Sequence, residues 1–108
     1  DFTALTVYAG DDPEAARSIL RSFAEQTAGN CAELERALGE GDAATVKTLA
    51  HKMLPIFTML GAAGVAATLR TAESWEGPLT DALRGEIGAA AENIRAIVAE
   101  AQKKVSLP

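Results

Sequence analysis

The last part of the chain repeats apolar residues at alternating intervals of four and three. These residues are Leu83, Ile87, Ala90, Ile94, Ile97 and Ala101. Because a helix turns by about 100° per residue, this spacing places all of them along one seam of a helix. Such a seam has to be buried against other helices. The segment from about Thr80 to Lys104 is therefore predicted to be one member of a helical bundle.

Three further segments show helical spacing, and the first two of them have clear start signals. In "GDDPEAA", Asp12 is placed as an N-cap and Pro13 at the first helical position. In "GEGD", the glycines end this long helix, which Gly29 is expected to weaken, and Asp42 is placed as the cap of the next. The predicted bounds are about Pro13 to Leu38, Ala43 to Leu60, and Ala63 to Glu76.

The spacing of Phe2, Leu5 and Tyr8 predicts a short helix before these four. No segment alternates apolar and polar residues in the manner of a strand. Short connections between long helices favour antiparallel neighbours. The predicted fold is all-α: an up-down antiparallel four-helix bundle with a short extra N-terminal helix, forming a single domain over residues 1–108.

Composition limits the classes of function. A net charge of −5 argues against a nucleic-acid partner, because phosphate binding needs clustered Lys and Arg. No long uninterrupted apolar run is present, so we expect no direct membrane contact. The only cysteine, Cys31, forms no internal disulfide and is expected to pack in the core. These features predict a cytoplasmic domain, or the cytoplasmic part of a membrane-bound sensor kinase.

The stretch "LAHKMLPIF", residues 49–57, contains the only histidine. On a helical wheel His51 lies roughly 160° from the centre of the apolar face and is therefore predicted to face solvent. Its predicted surroundings on that side include Lys47 and a strip formed by Thr48, His51, Leu54, Pro55 and Thr58. For a protein this acidic, the strip is unusually poor in Asp and Glu, which favours a functional surface over an ordinary solvated face.

A single exposed imidazole supports few kinds of chemistry. A metal site needs several ligands at close spacing, and no second histidine or cysteine pair exists, so we expect no metal and no cofactor. No acidic residue lies three or four positions from His51 to orient it. "LGAAGVA" lacks the ending of a nucleotide-binding loop, which argues against a kinase. A neutral imidazole can accept a phosphoryl group, and His51 is thus predicted to be a nucleophile whose partner groups come from another protein.

A wider resemblance is carried by "DDPEAARSILRSFAEQ" at the start of a long helix, by "EGD" before the next, and by "LAHKM" and "LGA" after it. On these motifs, of which "AHK" is the most specific, nearly the whole chain resembles the histidine phosphotransfer domains of multistep two-component phosphorelays. The form "HKMLP" resembles a variant attached to hybrid sensor histidine kinases. The family usually has lysine and glycine where this chain has Leu54 and Pro55.

The resemblance implies that His51 takes a phosphoryl group from the phospho-aspartate of one response-regulator receiver domain and passes it to another. It matches Lys52 to a lysine often found beside that histidine. Lys47, one turn before His51, is predicted to support the phosphoryl charge in place of the missing lysine. Receivers are expected to dock on Thr48, Leu54, Pro55 and Thr58, and the isolated domain is expected to be monomeric. The alternative is a helical adaptor or dimerisation bundle in which His51 has no chemical role.

Overall fold

The structure is a computed structural model that describes residues 2–106, and within that range it is all-helical, with no β-strand. The all-α prediction is confirmed. A 3₁₀-helix, Val7–Ala9, follows the first helix directly. The five α-helices are α1 (Thr3–Thr6), α2 (Pro13–Glu40), α3 (Ala43–Met59), α4 (Ala63–Ser74) and α5 (Asp81–Ser106).

Helix α2 begins and ends at the signals present in the sequence. The carboxylate of Asp12 accepts hydrogen bonds from the backbone N–H groups of Glu14 and Ala15, at 3.0 and 3.3 Å. The helix passes through Gly29 without interruption. It ends at Glu40 and is capped by Gly41, whose φ of 69° lies in the left-handed region that glycine adopts readily.

The next residue starts α3 at once, since Asp42 accepts hydrogen bonds from both the backbone N–H and the hydroxyl of Thr45, at 3.1 and 2.6 Å. These bonds lower the pKa of the Asp42 carboxyl below its usual value. The chain therefore turns from α2 into α3 within two residues, which holds the beginning of α3 close to the end of α2.

The four long helices are neighbours in sequence order around one core. Helix α2 packs against α3 and α5, and α4 also packs against α3 and α5. Most of the core is aliphatic, and it includes the apolar seam of α5, with Ile97 only partly buried. Phe23 and Phe57 meet edge to face at 6.2 Å, which links α2 to α3.

The N-terminal segment differs from its prediction in one respect. Phe2 and Leu5 pack against the core, as their spacing predicts. Tyr8 does not: α1 ends at Thr6, and Tyr8 lies in the 3₁₀-helix that follows. Tyr8 is 85% exposed.

The other end of the fold is organised around Trp75. Helix α4 ends at Ser74, two residues before the predicted Glu76, and Trp75 continues in an extended conformation. Its indole N–H donates a hydrogen bond to the carbonyl of Pro78 at 3.1 Å, and its ring packs partly against the core. Trp75 thus anchors the connection from α4 to α5.

Cys31 is buried in the core, as predicted, and burial raises the pKa of its thiol. Within residues 2–106, no helix combines the length and the apolar character needed to cross a bilayer.

Candidate functional site

His51 lies near the middle of α3, on the side that faces away from the core. Leu49, Ala50 and Met53 on the same helix are buried, whereas the His51 side chain is 77% exposed. The exposure predicted from the helical wheel is confirmed. A rigid helix thereby presents the imidazole to solvent, with its backbone fixed by the core residues on either side.

The imidazole has a partner on the neighbouring helix. Nδ1 of His51 makes a close hydrogen-bonded contact with Oε1 of Glu73 on α4. Glu73 is only 31% exposed and is better shielded from water than the ring it contacts. His51 therefore has an acidic residue that can orient its ring. This acid, Glu73, comes from α4, since no acidic residue lies three or four positions from His51 on α3.

The contact separates the roles of the two ring nitrogens. A carboxylate only accepts hydrogen bonds, so in the neutral ring Nδ1 carries the proton that is donated to Glu73. Nε2 then holds the free lone pair. This tautomer is assigned from the position of the carboxylate. The arrangement leaves Nε2 of the exposed ring able to act as a nucleophile, while the Glu73 carboxylate contacts Nδ1.

Local charge around His51 is opposite in sign to that of the whole chain. Residues 43–74, which contain α3 and α4, include three cationic side chains, Lys47, Lys52 and Arg70, and a single acid, Glu73. The full sequence has 15 acidic and 10 basic residues. Lys47, Lys52 and Arg70 are all exposed, and none forms an ion pair with another residue in the range 2–106. This surface suits an anionic ligand or partner.

The predicted docking residues occupy two different environments. Thr48, Pro55 and Thr58 are exposed beside His51, and the Thr48 hydroxyl donates to the carbonyl of Ala44 at 3.0 Å. Leu54 is only partly exposed, because one side of it packs against the core. A partner covering this strip would meet part of the Leu54 side chain and not all of it.

Helix α3 continues through Pro55. Proline has no N–H, so the carbonyl of His51 receives no hydrogen bond from the residue four positions later. The proline thus removes one backbone hydrogen bond directly beside the candidate nucleophile.

Neither a metal site nor an enclosed pocket contains His51 in the described part of the chain. No three His, Cys, Asp or Glu side chains there lie close enough together to hold a metal ion. A cavity of about 600 Å³ lies at the end of the molecule where α1 meets the turn after α3, and its lining includes Phe2, Leu20 and Lys104 but not His51. His51 therefore lies outside this cavity, on an open surface.

Comparison of the chain with protein-family models, with curated proteins and with solved structures produced no match.

Proposed function

We propose that this protein is a phosphorelay intermediate that carries a phosphoryl group on His51. The observation that carries the proposal is the exposed imidazole whose Nδ1 contacts Glu73, because this pairing leaves Nε2 free to attack an incoming phosphorus atom. The phosphoryl donor and acceptor are the aspartates of response-regulator receiver domains. The chain itself is not an enzyme in this scheme, and it needs no cofactor or metal of its own.

The transfer balances without an additional reactant. The lone pair of His51 Nε2 forms a bond to phosphorus while the bond from phosphorus to the receiver's aspartyl oxygen breaks. The electron pair of the broken bond leaves with the aspartate, which becomes a carboxylate. The ring gains positive charge and keeps its Nδ1 proton, which the Glu73 carboxylate holds. The reverse steps deliver the group to a second receiver.

Two more features support a receiver as the partner. The phosphorylation pocket of a receiver is acidic, and the α3–α4 surface has a surplus of positive charge over its single acid. Opposite charges on the two surfaces favour encounter and orientation. Lys47, one turn before His51, and Lys52 beside it are in positions to offset phosphoryl charge.

The architecture that fits this function is an antiparallel four-helix bundle with α1 across one end, as in histidine phosphotransfer domains. The molecule measures 46 × 19 × 18 Å, and α2, with 28 residues, is about 42 Å long at 1.5 Å per residue. The length of the molecule is thus close to the length of a single helix, as in a bundle whose helices run parallel or antiparallel to one another. We propose a monomeric domain that acts in the cytoplasm, on its own or within a sensor kinase.

The proposal is tested by incubating the protein with receiver domains of the same organism that have been charged with acetyl phosphate. We expect label that is lost in acid and that maps to His51 by mass spectrometry. The His51→Gln variant should take up no label while melting within a few degrees of the wild type, because an exposed side chain contributes little to packing. Acid-labile label on a folded His51→Gln protein would contradict the proposal, as would failure of every receiver to label the wild type, which would favour an adaptor.

A further inference from the structure

We propose that Arg70 binds the phosphoryl group on His51 from the neighbouring helix. The inference rests on the proposed function, and it adds a residue that neither the spacing within α3 nor the contacts of His51 themselves indicate. It follows from the register between α3 and α4, and from the fact that the Arg70 guanidinium forms no ion pair with any residue from 2 to 106.

The register is set by one contact and one short turn. Only residues 60–62 separate α3 from α4, and the two helices pack against each other, so they run in opposite directions. The contact between His51 and Glu73 places those two residues at the same level. Arg70 precedes Glu73 by three residues, and Leu54 follows His51 by three. Arg70 and Leu54 therefore lie level with each other, about one helical turn closer to residues 60–62 than the His51–Glu73 contact.

Burial places Arg70 on the outer side of Glu73. Ala66 and Leu69 of α4 are buried, Glu73 is partly buried, and Arg70 is exposed. At about 100° per residue, Arg70 is displaced about 60° from Glu73, away from those buried residues. Its side chain therefore starts from the rim of the α3–α4 surface, one turn of about 5.4 Å from the level of the imidazole.

The position opposite Arg70 on α3 supplies no charge of its own. Leu54 is apolar and packs part of its side chain against the core, so it cannot neutralise a phosphoryl group. A phosphoryl group on Nε2 would carry negative charge that Glu73, itself an anion, opposes. A cation is needed at this point, and Arg70 is the one on α4.

The guanidinium is available for this role. Arg36, on α2, pairs with Glu33 and Glu40 on its own helix. Arg70 pairs with no residue within 2–106, although Glu73 is three positions away, since the Glu73 carboxylate is turned to His51. Arginine binds phosphate oxygens with two parallel N–H groups, which orients the group as well as neutralising it. Arg70 would donate to the non-bridging oxygens and form no covalent bond.

The test uses one receiver domain that labels the wild type, and it measures the fraction of phosphoryl group on His51 at equilibrium. Arg70→Gln keeps a polar side chain of similar helix-forming character and removes the charge. Arg21→Gln is the matched control, because Arg21 is also exposed and unpaired within residues 2–106 but lies on α2, far along the helix from the level of His51. Arg70→Lys keeps the charge and loses the paired donors.

We expect Arg70→Gln to lower the transfer equilibrium constant about fivefold, as for loss of one solvent-exposed charged hydrogen bond. Arg21→Gln should match the wild type, and Arg70→Lys should fall between. Raising the salt from about 0.05 M to about 0.5 M should shrink the difference between Arg70→Gln and the wild type, because ions screen an exposed charge pair. A purely structural role for Arg70 would not depend on salt in this way.

Each remaining outcome overturns a specific claim. Equal transfer by Arg70→Gln and Arg21→Gln, with the wild type labelled at His51, would overturn the role of Arg70 and leave the proposed function intact. A salt-independent loss in Arg70→Gln, not restored by Arg70→Lys, would also overturn it. An unlabelled wild type would overturn both proposals.

Discussion

Glu73→Ala is the substitution that most directly tests the His51 site. It removes the carboxylate that contacts Nδ1 and leaves α4 with a strong helix former in place. Glu73→Gln is its partner variant, since the amide oxygen still accepts a hydrogen bond but carries no charge. Glu92→Ala is the matched control, because Glu92 is exposed on α5 and has no ion pair within residues 2–106.

The size of the effect follows from the exposure of the pair. A hydrogen bond to a charged group contributes about 1.5–3 kcal/mol when shielded from water. The His51 side chain is 77% exposed and Glu73 is 31% exposed, so solvent screening reduces this to about 1 kcal/mol. The interaction strengthens as the ring gains charge during transfer, and its loss should slow phosphoryl transfer about fivefold or more. Glu73→Gln should lie between Glu73→Ala and the wild type.

Two measurements check this reasoning. The first is the single-turnover rate of label transfer from one charged receiver. The second needs no receiver: the ¹⁵N chemical shifts of the His51 ring report which nitrogen is protonated. We expect the Nδ1–H tautomer in the wild type and a shift towards Nε2–H in Glu73→Ala, with Glu92→Ala unchanged in both assays. Wild-type rates and ring shifts in a folded Glu73→Ala protein would refute an orienting role for Glu73.

Three further predictions concern other parts of the site and its support. Lys47→Ala should slow transfer about fivefold and more than Lys52→Ala, because Lys47 lies only about 40° from His51 around α3 whereas Lys52 lies about 100° away; equal rates in a single-turnover assay would contradict this geometry. Leu54→Glu should remain helical by circular dichroism and lose about 1–2 kcal/mol of unfolding free energy, because Leu54 is half-buried. Its receiver-dependent labelling should fall by about tenfold or more, and Leu54→Gln should fall less, because it adds no like charge to the interface; normal labelling of folded Leu54→Glu would mean that receivers dock elsewhere. Asp42→Asn should be less stable than the wild type at neutral pH, because hydrogen bonds from Thr45 lower the pKa of Asp42 from 3.8. The stabilisation from this carboxylate is present above pH 3.8 and disappears as the pH falls below 3.8 through the lower, folded-state pKa, so the urea midpoints of the two proteins should converge there and not at higher pH; a constant difference would show that the charge of Asp42 is not involved.

Local signals in the sequence were enough to predict the helices and the exposure of His51. Capping by Asp12 and Asp42 and the left-handed glycine at Gly41 depend on residues within one turn of the helix end, so they can be recognised without knowing the fold. The seam of α5 and the outward direction of His51 follow from helical periodicity alone. Tyr8 departs from this rule: it is exposed, and it lies in a 3₁₀-helix that the periodicity does not signal.

The pairing of His51 with Glu73 was missed because it joins residues 22 positions apart on different helices. One signal was present: both residues lie at equal distances from Ala62, close to the centre of the turn between α3 and α4. That symmetry puts them at the same height but does not determine how far each helix is rotated about its axis. Rotation is decided by how the four long helices fill their common core, and it is also what turns Leu54 partly inward.

The sequence by itself determined which residues are helical and which side of α3 faces solvent, since both depend on neighbours along the chain. Only the tertiary structure decided which groups meet on that surface, because such contacts depend on the packing of separate helices.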